Sequence, residues 1–228
     1  MQRAHEALLE AIFAERDRIM SRRGFLAGGG KLAAAGALAA AGLPTIERVA
    51  ALAQGTPIPF TSDVEVLNYA LTLEHLEYAF YRDGIGKFNF GTGPFKDNIG
   101  TYLMAIRDDE KAHVDGLTKA IQGLGGAPVA EAKYDFGYGT DEEKFLATAQ
   151  ALENTGVSAY DGAGQYISSQ ALLTVAGQIV AVEARHASYL NLLNGTLPFP
   201  APFETPATEA EVLKIVAPFI AGTGTPTA

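Results

Sequence analysis

Apolar residues recur every three or four positions in four long segments and one short segment of the chain. This period places apolar side chains on one face of an α-helix. The long segments are 64–84, 97–123, 140–168 and 169–194, and the short one is 208–220. No stretch combines sustained apolar and polar alternation with enrichment in β-branched residues, so the pattern predicts no sheet. The predicted fold class is therefore all-α.

Local signals at the segment ends agree with this assignment. Three segments begin with Ser or Thr followed three residues later by Glu, which is the pattern of a capping box. These begin at Ser62, Thr140 and Thr208. Residues 127–139 lack helical period and, when extended, would span about 45 to 50 Å, the length of a bundle. We therefore expect a four-helix bundle of two up-down pairs joined by a long crossover, followed by a short C-terminal helix.

Two of the predicted helices carry Glu and His three positions apart on the face that should meet the core. The pairs are Glu110 with His113, and Glu183 with His186. A separation of three positions is about 300° around a helix and about 4.5 Å along it, so both side chains can reach one ion. One such pair is weak evidence, but two pairs on apolar stripes indicate a metal site. The alternative is a metal-free polar interior with Glu–His hydrogen bonds.

The other two long helices each add one Glu at a matching depth. Tyr81 follows Glu74 by seven positions, and Tyr160 follows Glu153 in the same way, so the two halves resemble each other. Glu153 and Glu183 are equally far in sequence from the turn between their helices, about 22 Å along each helix. We therefore expect six ligands to converge. They are Glu74, Glu110, His113, Glu153, Glu183 and His186.

Three further residues accompany this set. Glu77 follows Glu74 by one helical turn and is either an alternate ligand or a partner of a ligand. Tyr81 and Tyr160 either hydrogen-bond to ligands or are oxidisable, and the alternative for both is an ordinary core tyrosine.

Charge balance predicts how many ions the site holds. Four buried carboxylates would repel each other and take up protons unless two divalent cations neutralise them. The chain has no Cys, so a transition-metal site must use His and carboxylate. Oxygen-rich ligation with one imidazole per ion suits Fe(II) or Mn(II), and Zn(II) also fits. The same ligand set occurs in di-iron and di-manganese helical bundles, so we expect two divalent ions, Fe or Mn.

Residues 1–53 differ in composition from the rest of the chain. The stretch Ser21-Arg22-Arg23-Gly24-Phe25-Leu26 matches the S-R-R-x-F-L pattern of a twin-arginine export signal. An apolar run from Leu32 to Leu43 and a small-x-small site at Ala51-Leu52-Ala53 follow it. The alternatives are an uncleaved membrane anchor and an amphipathic helix.

The predicted signal and the predicted helices together divide the chain into three parts. We predict a signal at 1–53, a bundle with its C-terminal extension at 54–221, and a disordered tail at 222–228. Met20, directly before the motif, is the expected start of translation. Export would bring the protein to the periplasm or another extracytoplasmic compartment, with the twin-arginine export machinery as its partner.

Taken together, the motifs resemble those of ferritin-like-domain proteins, in the group of plant desiccation-related proteins and twin-arginine-exported bacterial relatives. The resemblance covers roughly residues 62–194 and is carried by Leu73-Glu74-His75-Leu76-Glu77-Tyr78-Ala79-Phe80-Tyr81 and the two Glu-x-x-His motifs. It implies a ferritin-like bundle with metal-dependent chemistry on dioxygen or peroxide, such as ferroxidase or catalase-like activity. The alternative is a stress-associated or desiccation-associated structural or binding protein whose metal site only stabilises the fold.

The overall charge bears on partners. A net charge of −9 argues against nucleic acid as a ligand. The expected small-molecule partner is dioxygen or peroxide, and the sequence leaves homo-oligomer formation open.

Overall fold

The part of the chain that the structure describes contains five α-helices. A computed structural model describes residues 60–96 and 98–221. The helices are α1 (Asp63–Gly84), α2 (Ile99–Gly123), α3 (Glu142–Gly164), α4 (Gln170–Leu193) and α5 (Glu209–Val216). Short 3-10 helices follow α1 at Ile85–Lys87 and α5 at Ala217–Phe219. The predicted signal at 1–53 and the predicted tail at 222–228 lie outside the described residues.

The long helices form two pairs. Helix α1 packs mainly against α2, and α3 against α4, while α1 and α3 join the pairs. At one end, the Asp63 carboxylate accepts hydrogen bonds from the backbone N–H groups of Ser168 (2.7 Å) and Ser169 (3.1 Å). At the same end, the Asn68 amide donates to the carbonyl of Ala127 at 3.1 Å, where the crossover begins. The predicted all-α bundle is confirmed, and β pairing among the described residues is limited to two isolated bridges.

Side-chain caps determine where α1 and α5 begin. The Ser62 hydroxyl accepts a hydrogen bond from the N–H of Glu65 at 3.3 Å, as the predicted cap requires. The Glu65 carboxylate reaches back to the N–H of Thr61 at 2.7 Å. Thr208 and Glu211 form the full reciprocal capping box. The local sequence signals are therefore sufficient to start these two helices.

The beginnings of α2 and α3 differ from the prediction. The N-cap of α3 is Asp141 rather than Thr140, and its carboxylate accepts from the N–H of Lys144 at 3.0 Å. A carboxylate is the better cap because its charge also interacts with the helix dipole. Helix α2 begins at Ile99, after the N-cap Asn98, slightly later than predicted. Helix α3 also ends before the expected turn, at a glycine of low helix propensity, and the last turn predicted for α5 is 3-10.

Apolar clusters fill the bundle on either side of its middle. Where α1 ends, Phe80 stacks on Phe145 with ring centroids 4.5 Å apart, and Phe136 meets Phe80 edge-on at 5.1 Å. Where α1 begins, a smaller cluster includes Leu71 and Leu117. The polar residues of the site lie between these two clusters. Within the described residues, no helix contains an apolar stretch of the length needed to cross a bilayer.

Gly162 allows the Pro-rich segment before α5 to pass close to α3. A methyl group there would overlap the carbonyl oxygen of Ala207, whose N–H donates to the carbonyl of Ser158 at 2.9 Å. We expect Gly162→Ala to lower the free energy of unfolding by about 1–3 kcal/mol, measured by urea denaturation, because backbone must move. Gly116→Ala is the control, since its methyl group meets nothing within 4 Å and should stabilise α2 by up to about 1 kcal/mol. Equal stability of Gly162→Ala and wild type would contradict this close approach.

Candidate metal centre

The four long helices bring acidic and imidazole side chains together in the middle of the bundle. Their potential ligand atoms form two groups, and the atoms of each group lie within 4.8 Å of one another. The first group is Glu74, Glu110, His113 and Glu183, and the second is Glu110, Glu153, Glu183 and His186. All six residues predicted as ligands therefore lie in one cluster, with Glu110 and Glu183 in both groups.

The cluster is buried because its residues occupy the apolar stripes of their helices. Leu103 and Ile106 precede Glu110 on α2, Leu117 follows it, and all three are buried. The four glutamates of the two groups have an exposed fraction of 0%. Packing of the neighbouring apolar residues thus carries the carboxylates into the interior, where an unneutralised charge is costly.

Each imidazole faces carboxylate oxygens from several helices. The Nδ1 atom of His113 lies 3.2 Å from Oε2 of Glu74, 3.3 Å from Oε2 of Glu110 and 2.9 Å from Oε1 of Glu183. The Nδ1 atom of His186 lies 3.0 Å from Oε1 of Glu110, 3.3 Å from Oε2 of Glu153 and 3.7 Å from Oε2 of Glu183. The two halves of the cluster therefore have the same construction.

Several of these close atoms have no hydrogen-bond partner. Nδ1 of His186 and Oε1 of Glu110 are 3.0 Å apart, yet both are buried and lack a hydrogen bond. The other buried carboxylate oxygens without a partner in the cluster are Oε2 of Glu74, Oε2 of Glu153 and both oxygens of Glu183. Unpaired buried acceptors that converge on a point cost free energy unless a cation joins them. The residues present therefore fit divalent metal ions.

Protonation balances the charge of the cluster when no metal is bound. Burial raises the pKa of Glu153 to about 7, and burial followed by repulsion from Glu183 raises the pKa of Glu110 well above its ordinary value. Burial also opposes ionisation of Glu183, but the nearby imidazoles of His113 and His186 favour its charged form and lower its pKa to about 2. Burial lowers the pKa of His113, yet the carboxylates of Glu110 and Glu183 beside its Nδ1 atom raise it to about 12. A metal ion must displace these protons when it binds.

Two tyrosines connect α1 and α3 through the cluster. The hydroxyl of Tyr81 on α1 donates to Oε1 of Glu153 on α3 at 2.7 Å. The hydroxyl of Tyr160 on α3 donates to Oε1 of Glu74 on α1 through a short hydrogen bond. The repeated Glu-to-Tyr spacing thus produces a reciprocal pair, in which each tyrosine fixes the carboxylate of the opposite helix.

Removing either tyrosine hydroxyl should be costly. We expect Tyr81→Phe and Tyr160→Phe each to lower the free energy of unfolding of the metal-free protein by about 1.5–3 kcal/mol, because each leaves a buried carboxylate oxygen without its donor. Urea denaturation in the presence of a chelator measures this. Tyr166→Phe, at a position 43% exposed, is the matched control and should change stability by less than about 0.5 kcal/mol. Unfolding of all three variants at the wild-type midpoint would contradict the reciprocal hydrogen bonds.

Sequence reasoning did not identify one residue of the site, Asp109. Its Oδ2 atom lies 3.1 Å from Nε2 of His186 and so orients the ring from the side opposite Nδ1. The acidic pair Asp108-Asp109 before Glu110 is the sequence signal, but the contact runs from α2 to α4. The position before Glu183 is occupied by Val182, so the two halves differ here.

Glu77 is buried beside the cluster but belongs to neither group. Its exposed fraction is 3%, and burial followed by repulsion from Glu183 raises its pKa well above the ordinary value. Gly156 occupies the equivalent position of the other half, three residues after Glu153, and a methyl group there would lie 3.0 Å from Oε1 of Glu77. Gly156 therefore leaves room for a fifth carboxyl group, while Glu74 lies in the cluster.

Comparison with known proteins is consistent with this geometry. A family model described as a ferritin-like domain matches residues 62–196, more than half of the chain, and this range contains all six clustered residues. The chain is also similar to Protein rds1 of Schizosaccharomyces pombe, with 27% identity over 169 residues. The match covers 72% of this chain and 41% of the relative, so the chain spans about two fifths of that protein's length.

Proposed function

Because the chain belongs to the ferritin-like domain family, we propose that it binds two divalent metal ions, iron or manganese, and acts on dioxygen or peroxide. The observation that carries this proposal is the overlap of the two ligand groups at Glu110 and Glu183. Bound ions of this kind exchange electrons with dioxygen or peroxide, which a redox-inert polypeptide interior cannot do. The activity would be a ferroxidase or a catalase-like reaction.

The proposed roles follow from membership of the two groups. Glu110 and Glu183 would each bind both ions, since each residue offers a ligand atom to both groups. The other four residues each belong to one group. Glu74 and His113 would bind the ion of the first group, and Glu153 and His186 would bind the ion of the second. Four carboxylates balance the charge of two divalent cations, and oxygen-rich ligation with one imidazole per ion favours Fe(II) or Mn(II).

The residues around the cluster would hold the ligands in place. Tyr81 and Tyr160 orient Glu153 and Glu74 through hydrogen bonds, and Asp109 orients His186. The apolar clusters on either side of the site exclude water, which strengthens the electrostatic interactions inside it.

Two assays test the proposed reactions. The purified full chain is loaded anaerobically with Fe(II) and then mixed with dioxygen, and a second sample is loaded with Mn(II) and mixed with hydrogen peroxide. We expect dioxygen uptake with oxidation of Fe(II) in the first, or evolution of dioxygen in the second. The Glu110→Gln variant, which we expect to bind no metal, is the control, because it measures the reaction of metal ions that remain free in solution. If neither sample reacted faster than its control, the proposed activity would be wrong.

The complete burial of the four glutamates also favours a second function. A metal centre with no exposed carboxylate is suited to stabilise a fold, and the chain would then be a structural or binding protein in stress or desiccation. Both functions require metal. Melting temperature measured together with turnover distinguishes them, because a purely structural site raises the melting temperature without any metal-dependent consumption of dioxygen or peroxide.

Export by the twin-arginine route is part of the proposal. The stretch Ser21-Arg22-Arg23-Gly24-Phe25-Leu26 supports this route, because it matches the motif of a twin-arginine signal. A protein exported after folding can also take up its metal in the cytoplasm. The test is a reporter fusion in a bacterium that has this export machinery, in wild-type form and with both Arg22 and Arg23 replaced by Lys. We expect the replacement to keep the reporter in the cytoplasm. Equal export of both forms would contradict the proposed route.

A further inference from the structure

An apolar cavity lies in the bundle between the candidate metal centre and the end where α1 begins. All four long helices line it, including Leu67 and Leu73 of α1, Leu117 of α2 and Leu172 of α4. It also reaches Tyr160 of α3, which donates a hydrogen bond to Glu74 of the centre. The cavity is therefore lined by a residue that donates a hydrogen bond to a candidate ligand.

The size and lining of the cavity restrict what it can hold. It leaves about 20 Å³ for the centre of a water-sized molecule, which exceeds the roughly 10–15 Å³ that one such molecule requires. Among the described residues that line it, only Tyr69 and Tyr160 have a polar side-chain atom, and the Tyr160 hydroxyl donates a hydrogen bond to Glu74. A buried water needs two to four polar partners, so water is poorly held there. The cavity suits one small apolar molecule.

The two similar halves of the bundle differ at this cavity, which lies beside Tyr160 and not beside Tyr81. Tyr81, the counterpart of Tyr160, is completely buried and packs against Phe80 and Phe145, with ring centroids 5.2 and 6.4 Å away. In contrast, the cavity beside Tyr160 extends to Val175, which is 41% exposed. One tyrosine thus faces a filled aromatic cluster, and the other faces open space that continues towards the surface.

We propose that this cavity binds a small, uncharged, apolar molecule of the size of dioxygen and brings it to the Glu74 side of the metal centre. The inference rests on the proposed function and selects between its two substrates. Hydrogen peroxide would lose its hydrogen bonds to water on entering an apolar cavity, whereas dioxygen has none to lose. Dioxygen is therefore the substrate that the cavity favours.

Xenon is the probe for this site, because it is apolar and scatters X-rays anomalously. Crystals of the full chain are pressurised with xenon, and an anomalous peak is expected in the cavity beside Tyr160. Ala176→Leu fills the cavity from α4 and should abolish the peak. Leu172→Ala enlarges the cavity and should retain or strengthen it, so the test remains decisive if Ala176→Leu fails to fold. Ala171→Leu, at an exposed position of α4 outside the lining, should leave the peak unchanged.

A kinetic measurement connects the cavity to the reaction. In the Fe(II)-loaded protein, Ala176→Leu should raise KM for dioxygen severalfold while kcat at saturating dioxygen is retained, and Ala171→Leu should change neither. Absence of xenon from the wild-type cavity, or an unchanged KM in Ala176→Leu, would overturn the inference even if the wild type consumes dioxygen. Xenon in the cavity without any metal-dependent dioxygen uptake would support the binding site and contradict the proposed function.

Discussion

Replacing Glu110 with Gln is expected to empty both metal positions. Glu110 offers a ligand atom to each group, and its neutral amide would leave each ion with one anionic oxygen fewer in a buried site. The loss of affinity should exceed the roughly 10–100-fold that follows removal of a ligand's hydrogen-bond partner. Metal analysis of purified protein measures the outcome as equivalents of iron and manganese per chain.

Two further variants make the Glu110→Gln result specific. Glu77→Gln removes a carboxyl group of similar burial that lies in neither group, so it should retain the wild-type metal content. Glu74→Gln touches one group, so it should reduce the metal content by about half of the wild-type value. Full loading of Glu110→Gln, or equal losses in Glu110→Gln and Glu77→Gln, would be incompatible with a shared ligand.

Removal of the metal is expected to lower the melting temperature markedly. A ligand present at 1,000 times its Kd stabilises the folded state by about 4 kcal/mol per site. In a chain of this length each kcal/mol moves the melting temperature by about 2–4 °C, so stripping one ion should cost on the order of 10 °C. The reason is that the four glutamates remain buried and must then be balanced by protons.

Calorimetry with and without a chelator measures this effect. Glu110→Gln is the control, since a variant without metal should melt at the same temperature whether or not chelator is present. Return of the wild-type melting temperature after re-addition of Fe(II) or Mn(II) would complete the expected result. A wild-type melting temperature that the chelator leaves unchanged would show that no stabilising metal is bound.

The helical bundle could be predicted from the sequence because the signals that define each helix are local. The apolar period defines a helix without reference to its neighbours, and caps such as Ser62 and Thr208 mark where a helix begins. Errors arose where two capping residues compete. Thr140 fits the capping-box pattern, but the adjacent Asp141 takes the cap, and the pattern alone does not rank them.

The candidate ligands were predictable for a related reason. Helix geometry fixes the relation of Glu110 to His113, and the repeated spacing of Glu74 to Tyr81 indicates equivalent positions in the two halves. The contact of Asp109 with His186 was not predictable, because it depends on how α2 and α4 are rotated towards each other. The same holds for the room that Gly156 leaves for Glu77 and for the cavity at Tyr160, which form only when helices pack.

The most direct test of the metal centre is anomalous scattering at the iron and manganese absorption edges, from crystals of protein purified without added metal. We predict two peaks in the middle of the bundle, both within bonding distance of Glu110 and Glu183. One should also contact Glu74 and His113, and the other Glu153 and His186. Clear density for these side chains with no anomalous peak between them would contradict the proposed centre.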